Sequence, residues 1–254
     1  MSRTVTVKNV IIGEGTPKIC VSLVGATLSD LKREAAALKT LAPDLVEWRA
    51  DFFEQVEKLE AVVDALGVIR ALLPDLPLIF TFRSAKEGGE KEIGTGDYIA
   101  LNKAAAASGL VDIIDVELFN EEEDVRALIA AAHDNNVFVI LSNHDFHGTP
   151  PKEDIISRLR KAQELGGDLP KIAVMPGSPA DVLTLLAATH TMKEEYADRP
   201  IITMSMAGSG VISRLAGEIF GSALTFGAAH RPSAPGQVGV RELREVLALL
   251  HRSL

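Results

Sequence analysis

Eight short apolar runs recur along the chain at a nearly regular interval, at 18–24, 45–49, 78–83, 111–118, 137–143, 171–175, 201–206 and 223–227. Each has the length of a buried strand. The stretches between them carry apolar residues at helical spacing. Leu28, Leu31, Ala35, Leu38 and Leu41 share one face, and Val182, Leu185, Leu186, Thr189 and Met192 share another. Ile212, Leu215 and Ile219, then Leu243, Val246, Leu247 and Leu250, predict the last two helices. Thr27, Ser178 and Ser209 stand where N-caps belong, and Pro150-Pro151 precedes a segment with Glu153 and Asp154 in its first turn.

Strand and helix alternating eight times in 254 residues is the rhythm of a (β/α)8 TIM barrel. A doubly wound open sheet is the alternative, but the first strand is not followed by the G-x-G-x-x-G turn of the dinucleotide-binding version. Before the first strand, residues 4–7 and 10–12, followed by Gly13 and Gly15, predict an added β-hairpin that closes the barrel floor. No linker or low-complexity stretch divides the chain, so residues 1–254 are expected to form one domain.

The composition narrows the function. With 47% hydrophobic residues the chain has ample material for a core, and its net charge of -9 without any Lys/Arg block argues against a nucleic-acid partner. No run approaches the ~20 apolar residues of a membrane span, and the opening MSRTVTVKNV alternates too regularly for a signal peptide. The lone cysteine, Cys20, lies within an apolar run and is expected in the core; a reducing cytoplasm fits.

In such barrels the reactive groups stand at the carboxyl ends of the strands, and here those ends are polar. The first strand ends near Ser22. The second places Glu47, Arg49 and Asp51 on one face, the third ends at Arg83 and runs into a loop with Glu87, and the fourth carries Asp115 and Glu117. The fifth ends in SNHDFH, the sixth holds Lys171, and Met204-Ser205-Met206 closes the seventh. Charges from several strands facing one mouth imply either an internal salt-bridge network of Glu47 with Arg49 and Arg83, or a binding site, or both. His144 and His147 suggest a metal only weakly, because no second strand end is rich in histidine; His133, His190 and His251 fall in helical segments and His230 in a late loop. A general acid/base role suits His144 better, with Glu87 to orient it. MAGSG opens a helix with Arg214 one turn in, which favours an anion, phosphate or carboxylate. The long loop AAHRPSAPGQVG is either a connector or a lid carrying Ser233 and Gln237.

Lys171 interrupts an apolar stretch. A lysine at a strand mouth ordinarily snorkels to water. The other reading is an amine desolvated by Ile172-Ala173-Val174-Met175, with arginines nearby, and so kept reactive toward a carbonyl. The apolar run puts Lys171 at the start of its strand, whereas the chemistry belongs at the far end. A strand beginning near Asp168 and accepting Pro170 resolves this.

Taken in order, EWRAD, FTFRSAKEGGE, SNHDFH, PKIAVMP, ITMSM, GVISRLAGE, FGSALTFG and SAPGQ resemble the type I 3-dehydroquinate dehydratases over essentially the whole chain. The resemblance implies a (β/α)8 barrel, usually homodimeric, that dehydrates 3-dehydroquinate to 3-dehydroshikimate through a Schiff base on the shikimate pathway, with no metal and no organic cofactor. It implies that Lys171 forms the imine, His144 transfers protons and Glu87 is its partner. It assigns substrate contacts to Ser22, Glu47, Arg49, Arg83, Arg214, Ser233 and Gln237. The chain departs from the pattern at MAGSG, which lacks a lysine some relatives carry, and in the charge of AHRPS. Two other functions share parts of this pattern: a class I Schiff-base aldolase acting on a sugar phosphate, and a barrel that binds a small carboxylate without turnover.

Overall fold

A computed structural model describes residues 4–229 and 233–254, so the reading of His230 lies outside the described residues. The apolar alternation at the N-terminus folds as a hairpin of β1 (Val5–Val7) and β2 (Val10–Ile12), paired antiparallel with Val5 opposite Ile12. The eight expected strands follow as β3 (Lys18–Leu23), β4 (Leu45–Arg49), β5 (Leu78–Thr81) and β6 (Ile113–Glu117), then β7 (Phe138–Asp145), β8 (Leu169–Val174), β9 (Ile202–Ser205) and β10 (Leu224–Gly227). They form one parallel sheet in the order β10-β3-β4-β5-β6-β7-β8-β9. β9 and β10 meet only through a bridge between Ile201 and Ser222, with the Ser222 hydroxyl accepting from the Thr203 N–H, so the barrel is nearly closed.

Each strand is followed by helix: α1 (Leu28–Leu41), α2 (Leu59–Leu72), α3 (Thr95–Ala107), α4 (Glu122–Asp134), α5 (Lys152–Glu164), α6 (Pro179–Thr191), the pair α7 (Val211–Leu215) and α8 (Gly217–Phe220), and α9 (Val240–His251). Thr27 caps α1 by accepting from the Asp30 N–H, and Ser178 caps α6 in a capping box with Asp181. The third expected cap is corrected by one residue: Gly210, not Ser209, precedes α7. The face expected from Ile212, Leu215 and Ile219 is also corrected. The helix breaks at Ala216, which leaves Ile212 and Ile219 each 46% exposed and turns Ser213 and Arg214 inward.

Two apolar layers follow from strand alternation. Outward positions such as Val21, Trp48, Phe80, Val116 and Leu141 pack under α1–α4 and α9. Inward positions at the amino ends, Cys20, Leu45, Ile79, Ile113, Ile140, Leu169, Ile202 and Leu224, form a second cluster together with Val5, Val7 and Ile12 of the hairpin. The hairpin thus packs onto the barrel floor, as its sequence pattern predicts. Cys20 is fully buried there, and burial pushes its thiol well above the ordinary range, which fits a packing role.

Ile12 has no exposed surface and sits at the centre of this floor cluster. Ile12→Ala should cost about 2–5 kcal/mol of stability in a denaturant melt, while kcat stays near wild type because the mouth lies at the opposite end.

Candidate active site

Above the floor, the same alternation changes character. The next inward residues are Ser22, Glu47, Thr81, Asp115, Ser142, Lys171, Met204 and Phe226; after them come Arg49, Arg83, Glu117 and His144. The barrel interior therefore passes from apolar to charged within two residues of strand. Lys171 is the third residue of β8, not the first. The strand accommodates Pro170 at an outward position opposite Leu141, and this places the amine in mid-barrel.

Lys171 is 4% exposed, and its Nζ donates to Asp115 Oδ2 at 2.9 Å, with the Phe226 ring 4.8 Å away. The expectation of an amine surrounded by apolar surface and arginines is thus corrected: its nearest charge is a carboxylate. Asp115 is completely buried and also accepts from Arg83 Nη2 and the Ser142 hydroxyl, both at 2.6 Å. Burial by itself would raise the Asp115 carboxyl, but the Arg83 and Lys171 cations outweigh it and hold it at about 2. Arg83 also reaches Glu117 at 3.0 Å and Glu87 at 3.5 Å. The internal network considered from the sequence exists, but with other members: Glu47 makes no ion pair with Arg49 or Arg83 among the described residues.

Glu87 lies on a tight turn after β5. Ser84 anchors that turn to Glu117 through its N–H and hydroxyl, each at 2.8 Å. Glu87 Oε2 accepts from the His144 backbone N–H at 2.9 Å and lies 3.0 Å from His144 Nδ1. Burial raises the Glu87 carboxyl to about 7 despite the opposing Arg83 cation. Burial, with Arg83, Lys171 and Arg49 adding to it, pushes His144 well below the ordinary imidazole range. The ring is therefore neutral, and Glu87 decides which nitrogen carries the proton.

The rest of the mouth is built of paired polar groups. Arg49 is held bidentately by Asp51 through Nε and Nη2, both at 2.7 Å. Glu47 accepts from Ser22 at 2.5 Å and from Thr81 at 2.9 Å. Ser233 donates to Ser22 at 2.9 Å and accepts from Gln237 Nε2 at 2.9 Å, so the late loop is joined to β3 and β4 through side chains. Arg214 differs from the other cations. It is 1% exposed, and among the described residues it meets only the Met204 sulfur at 3.6 Å and the Pro235 carbonyl at 3.1 Å, with no partner for its Nε. Burial lowers its guanidinium to about 10. A buried cation with no carboxylate beside it is costly until an anion arrives.

Lys171, His144, Glu87, Glu47, Arg49, Arg83, Arg214, Ser233 and Gln237 line one cavity, and Ser22 stands behind Glu47. Sequence reasoning did not assign Asp115, Asp51 or Phe226 to the site. Strand alternation carried the signal for Asp115, which shares a face with Glu117. His147 is exposed, and among the described residues no three His, Cys, Asp or Glu side chains are grouped to hold a metal ion.

A match to the type I 3-dehydroquinase family spans residues 19–253. The chain is 63% identical to a 3-dehydroquinate dehydratase of Bacillus licheniformis over the full length of both. It is 60% identical to one from Salmonella paratyphi B over 99% of this chain and 100% of the relative. Its fold superposes with a TM-score of 0.98, at 57% identity over all of both chains, on a crystal structure of a type I 3-dehydroquinate dehydratase from Clostridium difficile with covalently modified comenic acid.

Gly89 closes the Glu87 turn where a Cβ would lie 1.9 Å from the Arg83 carbonyl oxygen, a backbone atom that cannot move aside. Gly89→Ala should therefore displace Glu87 and lower kcat by about a hundredfold, the penalty of a misplaced catalytic group, with the fold retained by circular dichroism.

Proposed function

This chain belongs to the type I 3-dehydroquinase family, and from that premise we propose how its side chains share the reaction. The enzyme dehydrates 3-dehydroquinate to 3-dehydroshikimate through a lysine Schiff base, a step of the shikimate pathway. The observation that carries the assignment of roles is a buried lysine in the same cavity as a buried arginine that has no anionic partner among the described residues. One end of the site is ready for a carbonyl and the other for a carboxylate.

His144 carries two protons from the Lys171 amine to the ketone oxygen: loss of the first frees the amine to attack the ketone carbon, and the second lets the carbinolamine hydroxyl leave as water, which gives an iminium. Asp115, fixed as a carboxylate by Arg83, faces that positive nitrogen as its counter-ion and does not itself take the lysine proton. The iminium draws electrons from the adjacent carbon, and His144 removes the proton there to give an enamine. The enamine expels the β-hydroxyl, which leaves as water with the proton His144 returns. Hydrolysis of the product imine consumes the water lost at its formation, so the net change is loss of one water. Arg214 binds the substrate carboxylate, while Glu47, Arg49, Arg83, Ser22, Ser233 and Gln237 hold the ring hydroxyls and the closing loop.

Residues 1–254 act as one (β/α)8 unit, a reading supported by the single parallel sheet that organises the helices. The protein works as a homodimer: exposed Leu183, Ile212 and Ile219 lie on α6, α7 and α8, which pack against one another, and so offer an apolar face for a second copy. We place it in the cytoplasm, supported by one buried cysteine and, among the described residues, no helix long and apolar enough to cross a membrane.

The assay is the rise of enone absorbance as 3-dehydroquinate is consumed. Lys171→Ala should abolish turnover with the fold intact, and near-wild-type activity would overturn the imine route. Arg214→Ala should chiefly raise KM, by about tenfold to a hundredfold for a lost charge-assisted contact; an unchanged KM would remove the carboxylate role. The pH dependence has a definite sign. Ionised Glu87 accepts Nδ1–H and leaves the other ring nitrogen free as a base, whereas protonated Glu87 donates to Nδ1 and blocks that base. With Glu87 raised to about 7, kcat/KM should fall as pH drops through about 7. A flat profile between pH 5 and 8 would contradict the pairing.

A further inference from the structure

Asn143 lies between the reactive dyad and the outer wall of the barrel. It is 3% exposed, on β7 immediately before His144. Its Nδ2 faces Glu87 Oε1 at 3.3 Å, and its Oδ1 faces Arg158 Nη1 of α5 at 2.9 Å. Arg158 also donates to Asp145 Oδ2 at 3.2 Å, and its guanidinium lies over the exposed Phe119 ring, 5.4 Å from the centroid. No catalytic step uses Arg158 or Asn143, yet they are joined to the group that sets the His144 tautomer.

The chemistry of the two side chains makes this connection directional. An amide has an accepting and a donating end that differ little in shape, and a guanidinium can only donate. Arg158 therefore obliges Asn143 to turn its oxygen outward, and the NH2 is left to donate to Glu87. That donation favours the ionised carboxylate. Asp145 Oδ2 and Asn143 Oδ1 accept from the same Arg158 Nη1, so without Arg158 the carboxylate left beside the amide attracts its NH2 instead. The amide then turns its oxygen toward Glu87, and two acceptors face each other unless Glu87 holds a proton.

We propose that Arg158 and Asn143 are positioning residues for the dehydration: Arg158 fixes the amide orientation of Asn143, and Asn143 keeps Glu87 in the form that leaves His144 free to act as a base. This rests on the roles of Glu87 and His144 given above. The other charged groups around the pair come from the barrel itself. Arg83, just beyond β5, and Glu117 of β6 flank Glu87, and Arg83, Lys171 and Arg49 act on His144. All of these remain unchanged when Arg158 is altered.

The test is the pH profile of kcat/KM for the full-length wild type, Arg158→Ala, Arg158→Lys, Asn143→Ala and the Arg158→Ala/Asn143→Ala double variant, with borohydride trapping on Lys171 recorded for each. Arg158→Ala should move the acidic midpoint upward by about one pH unit, the effect of one hydrogen bond lost to a charged group. KM and the alkaline plateau of kcat should stay within about twofold of wild type, because no contact to substrate is lost. Arg158→Lys, which keeps a donor, should restore part of the shift. In the Asn143→Ala background, Arg158→Ala should add almost nothing, since the amide that transmits the effect is gone. An unmoved midpoint in Arg158→Ala overturns the proposal. So does a shift that persists in full without Asn143, which would be a plain charge effect. If Asn143→Ala does not fold, Asn143→Ser takes its place in the cycle. Failure of the wild type itself to turn over or to be trapped would count against the underlying functional reading, not against this relay.

Discussion

The carboxylate of Asp115 stands at the centre of the barrel, out of reach of solvent, with hydrogen bonds from a lysine, an arginine and a serine. A buried charge is tolerated only when its partners are close and well aligned, and this one condition organises the mouth. It fixes Arg83, whose remaining N–H groups reach Glu117 and Glu87. Glu117 in turn anchors the turn that carries Glu87, and Glu87 holds His144. Lys171 and His144 are therefore placed by one connected set of ion pairs and hydrogen bonds, whose strand-borne members lie two or four residues beyond the apolar floor.

The opposite side of the cavity is left incomplete in charge. Arg49 has Asp51 and Glu47 has two hydroxyls, but among the described residues Arg214 has only a sulfur and a carbonyl oxygen. That asymmetry gives the proposed reaction a direction: a substrate carboxylate at Arg214 would set the ketone toward Lys171. Binding energy gained at the carboxylate is thereby used to orient the carbon that reacts.

The barrel was legible because buried parallel strands are continuous apolar runs and amphipathic helices show their period. Cap and helix errors near Gly210 arose because α7 and α8 are short and are turned by the demands of Arg214, so Ile212 and Ile219 face outward against their own pattern. The apolar run alone would start β8 at Lys171; the need to bring that lysine toward the mouth pointed to a start near Asp168, and the strand does begin at Leu169 with Pro170 at an outward position. The ten expected site residues could be named from strand ends and from the family pattern. Their partners could not: whether Lys171 meets apolar surface or Asp115, and whether Arg83 pairs with Glu47 or Glu117, depends on how strands stagger around the barrel, which no single run of sequence encodes.

The proposed reaction depends on a covalent bond at one side chain. The direct measurement is to mix the protein with 3-dehydroquinate, add borohydride, and map the modified peptide by mass. The structure predicts one stable adduct per chain on the peptide carrying Lys171. A protein that produces the enone yet yields no adduct, or one modified at another lysine, would contradict it.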